Sequence, residues 1–291
     1  MIGDQTLWND IYGNLPSFRR RQFNFNRIRR VVNMITGYQR QNRLQTVVTP
    51  QENSDQQTAD QLSKTLIWAN NKANTYEILS EAFEGAVTTG MNLLGVWMDY
   101  REDPINGNIK IDNLSYNEYL IDPFFKKHDL SDCRFIWSRK WLSKTEIKSL
   151  LPGREKELDM IKPRGWRDGK FQFQPEAYNY AMQDLINYDE FWYMDYRKRK
   201  MLVDTTTGET MEWRSDDENL NRFLRQYKEI KEIEQIVPTA KLAISVNGRV
   251  MYHGTNPMGI DRYPFAAAFG YYTPQVPYFP WRVQGVVRVL S

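Results

Sequence analysis

The sequence predicts an α+β fold in which antiparallel β-hairpins and meanders pack with long amphipathic helices. Three observations predict it. The dipeptides Asn106-Gly107 and Asn247-Gly248 sit between β-type runs, the strongest short hairpin signal. Apolar residues recur at helical steps of three and four over 28–35, 58–89 and 220–230. Strand and helix patterns are segregated rather than alternating, which argues against a doubly wound nucleotide fold.

Residues 1–23 carry little pattern and read as an arm, with Gly13, Asn14 and Pro16 marking a turn. Ile28, Val31, Val32 and Ile35 then form one apolar helix face. Asn24 or Asn26 suits the N-cap, and Gly37 the left-handed C-cap. "LQTVVT" at 44–49 reads as a short strand. A polar loop leads into one long helical pattern over 58–89, with apolar positions Leu62, Leu66, Ala69, Ala73, Tyr76, Leu79, Phe83 and Ala86 in steps of three and four and its end set by Gly90. Two strands flank Asn106-Gly107, and "EYLIDP" and "CRFIWSRKW" supply further strands. Ser143 and Glu146 have the spacing of a capping box, opening a helix over 144–151 that Pro152 stops. A meander of two or three strands follows over 186–213, with a Thr207-Gly208 turn. Ser215 and Glu218 form a second capping box, for a helix to about Ile233 with Leu220, Phe223, Leu224, Tyr227 and Ile230 on its apolar face. An Asn-Gly hairpin spans "KLAISVNGRVMYHG". The Pro- and aromatic-rich "YPFAAAFGYYTPQVPYFPW" cannot be one regular element. Val283, Val286, Val287 and Leu290 begin a helical face at the end of the chain, which is expected to continue past Ser291.

The 291 residues suffice for one large domain or two ordinary ones, with 41% hydrophobic residues for a core. The expected organisation is an arm at 1–23, an α+β region at 24–282 with a sub-boundary near 152–175, and the start of a further helix at 283–291. No apolar run approaches the roughly 20 residues of a membrane helix, and "MIGDQTLWND" lacks the order of a signal peptide. One cysteine, Cys133, excludes an internal disulfide. The net charge of +3 hides an asymmetry. Residues 18–43 hold eight arginines, no lysine and no acid, so the remainder carries −5. Such a segment seeks phosphates or an acidic protein neighbour.

Known reaction chemistry finds little purchase. There is no GxxxxGK[ST], and no GxGxxG between a strand and a helix. His128 and His253 are far apart, and no second cysteine completes a zinc site. Cys133, in a strand-like run, reads as a buried structural thiol, and His128 as a loop residue. No catalytic residue, cofactor or metal is expected. The competing reading is a Mg-dependent nuclease using Asp189, Glu190 and Asp195, which requires those acids to converge. Three basic clusters are flanked by aromatics, as single-strand stacking requires: 19–43, "KPRGWRDGK" at 162–170, and "RKRK" at 197–200. For 197–200 a solvated hairpin tip is the reading; for 162–170 both readings stand. For 19–43 an interaction role is favoured, because unpaired arginines repel and arginine binds carboxylate or phosphate bidentately. Arg19, Arg20, Arg21, Arg27, Arg30, Arg40 and Arg43 are the candidate interface or DNA-phosphate contacts.

"NRIRRVVNMITGYQRQNRLQTVVTP" resembles the N-terminal helix and following strand of tailed-phage portal proteins of the podovirus type. "YLIDPFFKKHDLSDCRFIWSRKWLSKTEIKSLLP" resembles their Asp-Pro, Lys-Asp-x-Ser-Asp-small-Arg, strand and Pro-terminated helix succession. "GVWMDY", "DTTTGE" and "RYPFAAAFGYY" are similar to further blocks, and the Gln- and Asn-rich style is similar to crAss-like phages. The resemblance covers most of 24–290 as short blocks. It implies a wing-like region leading into a stem helix from Val283, with the clip beyond Ser291. It further implies a ring of about twelve copies at a capsid vertex, a conduit for DNA packaging and ejection. The implied partners are the major capsid protein, the terminase large subunit, head-tail adaptor or tail proteins, and double-stranded DNA without sequence preference. The chain would be assembled in the host cytoplasm and reside in the virion. Another neck or tail adaptor protein is the remaining alternative.

Overall fold

The computed structural model describes residues 26–43, 46–50, 56–101, 103–161, 185–213, 217–227 and 229–290. The arm at 1–23, Ser215 of the second capping box and the basic run 162–170 lie outside the described residues. The chain divides into two compact units. The first is Met1–Glu118, Pro123–Leu130 and Pro264–Ser291; the second is Tyr119–Asp122 and Ser131–Tyr263. Among the described residues there are eight helices, four of them ten residues or longer, and every strand pairing is antiparallel.

In the first unit, α1 (Arg27–Gln41) starts at Asn26, whose side chain accepts from the Arg29 N–H at 2.9 Å. Its apolar face does bury: Val32 packs with Val87 and Val286, flanked by Ile28, Val31, Ile35 and Phe83. Gly37 is not the C-cap. It lies inside the helix, and Asn42 caps instead, its backbone N–H donating to the Tyr38 carbonyl at 3.1 Å and its side-chain amide at 2.9 Å. Asparagine can offer the last turn both donors, so the helix gains a turn past the glycine. Residues 46–50 form no strand; the Val48 N–H donates to Ser63 Oγ at 2.9 Å.

The single helix expected over 58–89 is two: α2 (Gln56–Lys72) and α3 (Thr75–Thr89). Asn74, at φ 49°, takes the left-handed conformation that asparagine tolerates best among residues with a Cβ. The turn this makes separates the two faces. Of the apolar positions, Leu62, Leu66 and Leu79 are 50%, 39% and 45% exposed. α3 ends at Gly90 and feeds β1 (Met91–Asp99), the centre of a sheet ordered β2 (Asn108–Leu114), β1, β9 (Phe265–Phe269). Asn106-Gly107 is not a two-residue turn. It closes a longer loop that begins after the Asp99–Asn108 pair, and the Asp103 carboxylate accepts the Ile105 and Asn106 N–H groups.

Three glycines let main chains meet at the end of α3. Gly90 (φ 109°) accepts from the Gly270 N–H at 2.8 Å. A Cβ on Gly270 would lie 2.6 Å from the Ala86 carbonyl oxygen, and one on Gly285 would overlap the Thr88 carbonyl. β10 (Tyr271–Tyr272) pairs β11 (Val283–Gln284) beside this junction, so the face beginning at Val283 is first a strand; α8 (Val286–Leu290) follows.

The second unit is a sheet ordered β3 (Tyr119–Ile121), β4 (Phe135–Ser143), β5 (Leu185–Asp204), β7 (Ile230–Val246), β8 (Arg249–Thr255), with β6 (Thr210–Trp213) also on β5. Ser143 and Glu146 form the full capping box of α4 (Lys144–Leu150), and α5 (Glu155–Asp159) follows. Asn247 (φ 54°) and Gly248 (φ 84°) make the type I′ turn that matches strand twist. β5 pairs β7 from Tyr188–Val246 to Asp204–Ile230, well past the ends of β4 and β8. α6 spans Asp217–Gln226 and stops short of the expected Ile233. The segment "IKEIEQIV" pairs β5 instead: its isoleucines and valine are β-branched and suit a strand, although their spacing is helical, and the long partner strand supplies the backbone hydrogen bonds.

Candidate functional site

Of the seven candidate arginines, Arg19, Arg20 and Arg21 fall outside the described residues, and the other four separate into two kinds. Arg40 and Arg43, near the end of α1, are engaged within the chain. Arg40 meets Glu84 at 3.1 Å, and the Arg43 guanidinium lies 4.4 Å over the Tyr76 ring, whose hydroxyl donates to the Arg40 carbonyl at 2.8 Å. Arg27 and Arg30 are exposed, with no ion pair among the described residues. Helical spacing places them on one side of α1 with Met34 and Tyr38, away from buried Val32 and Thr36. Met34 is 69% and Tyr38 71% exposed.

The "RKRK" run is not a hairpin tip. It lies within β5, and its charges are answered across the sheet. Lys198 meets Glu234 and Lys200 meets Glu232, both at 3.3 Å. Arg197 bridges Glu212 at 3.3 Å and Asp261 at 3.0 Å, and Arg199 donates to Gln235 at 2.9 Å. Acids placed opposite bases along a strand pair leave little net charge for phosphate.

The nuclease carboxylates do not converge. Asp189 is held bidentately by Arg139, at 2.6 and 2.8 Å, both side chains buried. The neighbouring Glu190 points to the other face of the sheet, 3.4 Å from the Trp192 indole N–H. Asp195 pairs Lys241 at 2.5 Å, which holds its carboxyl below the usual range. Among the described residues no three His, Cys, Asp or Glu side chains come together as a metal site would require. Cys133 is buried, and burial pushes its thiol up to about 12, far from a thiolate nucleophile. His128 packs edge-on against Tyr272 and Phe269, and His253 meets the Tyr193 hydroxyl at 2.7 Å.

Sequence reasoning missed groups that fasten segments within each unit. Asp122, of the "IDP" block, accepts from the Arg134 backbone N–H at 3.1 Å and from its guanidinium at 2.8 and 3.1 Å, tying β3 to the start of β4. The Asp-Pro and Cys-Arg positions in that block were the available signal. Arg282, only 1% exposed, donates to the carbonyls of Val276, Pro277, Pro123 and Phe125, fastening two loops to α7 (Phe279–Arg282). Phe125 beneath it stacks on Tyr272 and meets Phe279 edge-on. Nothing in the local sequence distinguishes this arginine from a surface one.

Most of the candidate charges are thus committed within the chain, while α1 carries an open face of Arg27, Arg30, Met34 and Tyr38. Residues 10–288 match the phage P22-like portal protein family, and the chain belongs to that family. Portal proteins are structural parts of the capsid vertex, and membership carries that general role to this chain. No curated protein sequence matches it. Among the described residues no helix is long and apolar enough to cross a membrane.

Proposed function

We propose that the chain is a subunit of a portal ring of about twelve copies, forming the conduit through which double-stranded DNA enters and leaves the capsid. The family match across 10–288 carries this reading. The internal neutralisation of the 197–200 cluster supports a conduit that holds DNA weakly and without sequence preference, since strong phosphate contacts would impede sliding. In this reading the described residues are mainly wing, the stem begins near Val283, and the ring is the platform for terminase, adaptor or tail proteins and the capsid shell. The chain itself performs no catalysis. The podovirus-type and crAss-like affinity belongs to the same proposal and rests on the sequence blocks alone.

Labelling the protein in intact particles with a specific antibody tests the reading. One labelled vertex per capsid is expected, and label over the whole shell or along the tail would reject it. Incubating the protein with plasmid DNA and Mg²⁺ addresses the nuclease alternative. No cleavage is expected, and cleavage lost on replacing Asp195 would revive that alternative.

A further inference from the structure

We propose that the outer face of α1 is a docking surface for a second copy of this chain, and that its counterpart on that copy is the acidic side of α3. The proposal rests on the portal reading and deepens it. A ring joined head to tail needs two different faces on each subunit, each complementary to the other.

The first face is Arg27, Arg30, Met34 and Tyr38. Arginine, tyrosine and methionine are enriched where proteins meet, and lysine is depleted; α1 contains no lysine. A surface shaped for phosphate alone has no use for a thioether and a phenol standing in solvent along it. The first turn also holds Arg27, Arg29 and Arg30 without an acid, against the sense of the helix dipole. An acidic neighbour would relieve that repulsion.

The second face is Glu77, Glu81 and Glu84, spaced i, i+4, i+7 along one side of α3. Glu77 and Glu81 are exposed and have no basic partner among the described residues. Like charges four apart on a helix repel. Glu84 already accepts Arg40 of its own chain at 3.1 Å, so the stripe takes guanidinium groups in reachable geometry. The two faces share no side chain, and both belong to the first unit. Each copy can therefore offer its arginines to one neighbour and its glutamates to the other.

Full-length protein is compared by negative-stain electron microscopy and mass photometry as wild type, Arg27→Glu with Arg30→Glu, Glu77→Lys with Glu81→Lys, all four changes in one chain, and a mixture of the two double variants. Wild type is expected to form rings. Each double variant is expected to lose at least tenfold in ring yield. The mixture and the fourfold variant are expected to recover rings, because every contact is complementary again. Rings from either double variant alone, or none from the mixture, would overturn the proposal. Where a reversal lowers the melting temperature, Arg27→Gln with Arg30→Gln replaces it and the same loss is expected. Normal rings from that variant in particles with less packaged DNA would assign the face to phosphate instead. Absence of rings from wild type would overturn the portal reading together with this one.

Discussion

Arg139 and Asp189 stand opposite one another on β4 and β5, the guanidinium donating two short hydrogen bonds to the carboxylate, both side chains buried. Such a pair adds little net stability over an apolar pair of equal volume, yet breaking it strands a charge in the sheet. Asp189→Asn is predicted to cost roughly 3–5 kcal/mol in denaturant unfolding, while Arg139→Met with Asp189→Leu should cost far less. Equal losses in the two variants would contradict this. Asp99 makes a pH prediction. Hydrogen bonds from the Arg101 guanidinium and N–H bring its carboxyl down to about 2. A carboxyl lowered on folding stabilises the native state fully above its unfolded value of roughly 3.9 and loses that contribution as the pH falls towards 2. The melting-temperature gap between wild type and Asp99→Asn should therefore be constant from pH 7 to about pH 5 and close below about pH 4. A gap unchanged at pH 2.5 would refute the assignment.

At the scale of elements, the glycine junction at the end of α3 makes the sharpest prediction. A methyl group on Gly285 has nowhere to go but into the Thr88 carbonyl, a main-chain group that cannot swing aside. Gly285→Ala should destabilise by about 1–3 kcal/mol or more, whereas Gly153→Ala, in open space, should cost only its backbone strain of about 1 kcal/mol. Thermal or denaturant unfolding of both variants checks this, and equal losses would contradict it. The elements legible in the sequence were those fixed by local chemistry. The Asn247-Gly248 turn, the Ser143 and Glu146 capping box and the buried stripe of α1 each depend on residues within one or two turns of each other. The elements misread were those decided at long range. "IKEIEQIV" is compatible with helix or strand until β5 lies beside it. Leu62, Leu66 and Leu79 keep helical spacing yet are 50%, 39% and 45% exposed, along a pattern that Asn74 divides into two helices. Of the proposed interaction surface, sequence marked Arg27, Arg30, Arg40 and Arg43 alike, and only the fold shows that the last two have partners within the chain.

At the scale of the whole molecule, the charges sort by use. In the second unit's sheet Arg197, Lys198, Lys200 and Lys241 are matched by acids and the Arg139–Asp189 pair is sealed inside, while the open charges Arg27 and Arg30 of α1 and Glu77 and Glu81 of α3 have opposite signs. The proposed ring would use this division, with fixed charges holding the subunit and open ones meeting its neighbours. Exposed pairs between subunits are screened when the Debye length shrinks to about 3 Å near 1 M salt, so ring yield should fall with added salt. The most direct measurement is the mass and shape of the purified full-length protein across a concentration series. The account predicts a closed ring of identical subunits around a central opening. A monomer at every concentration, with scaffold and capsid proteins present, would contradict it.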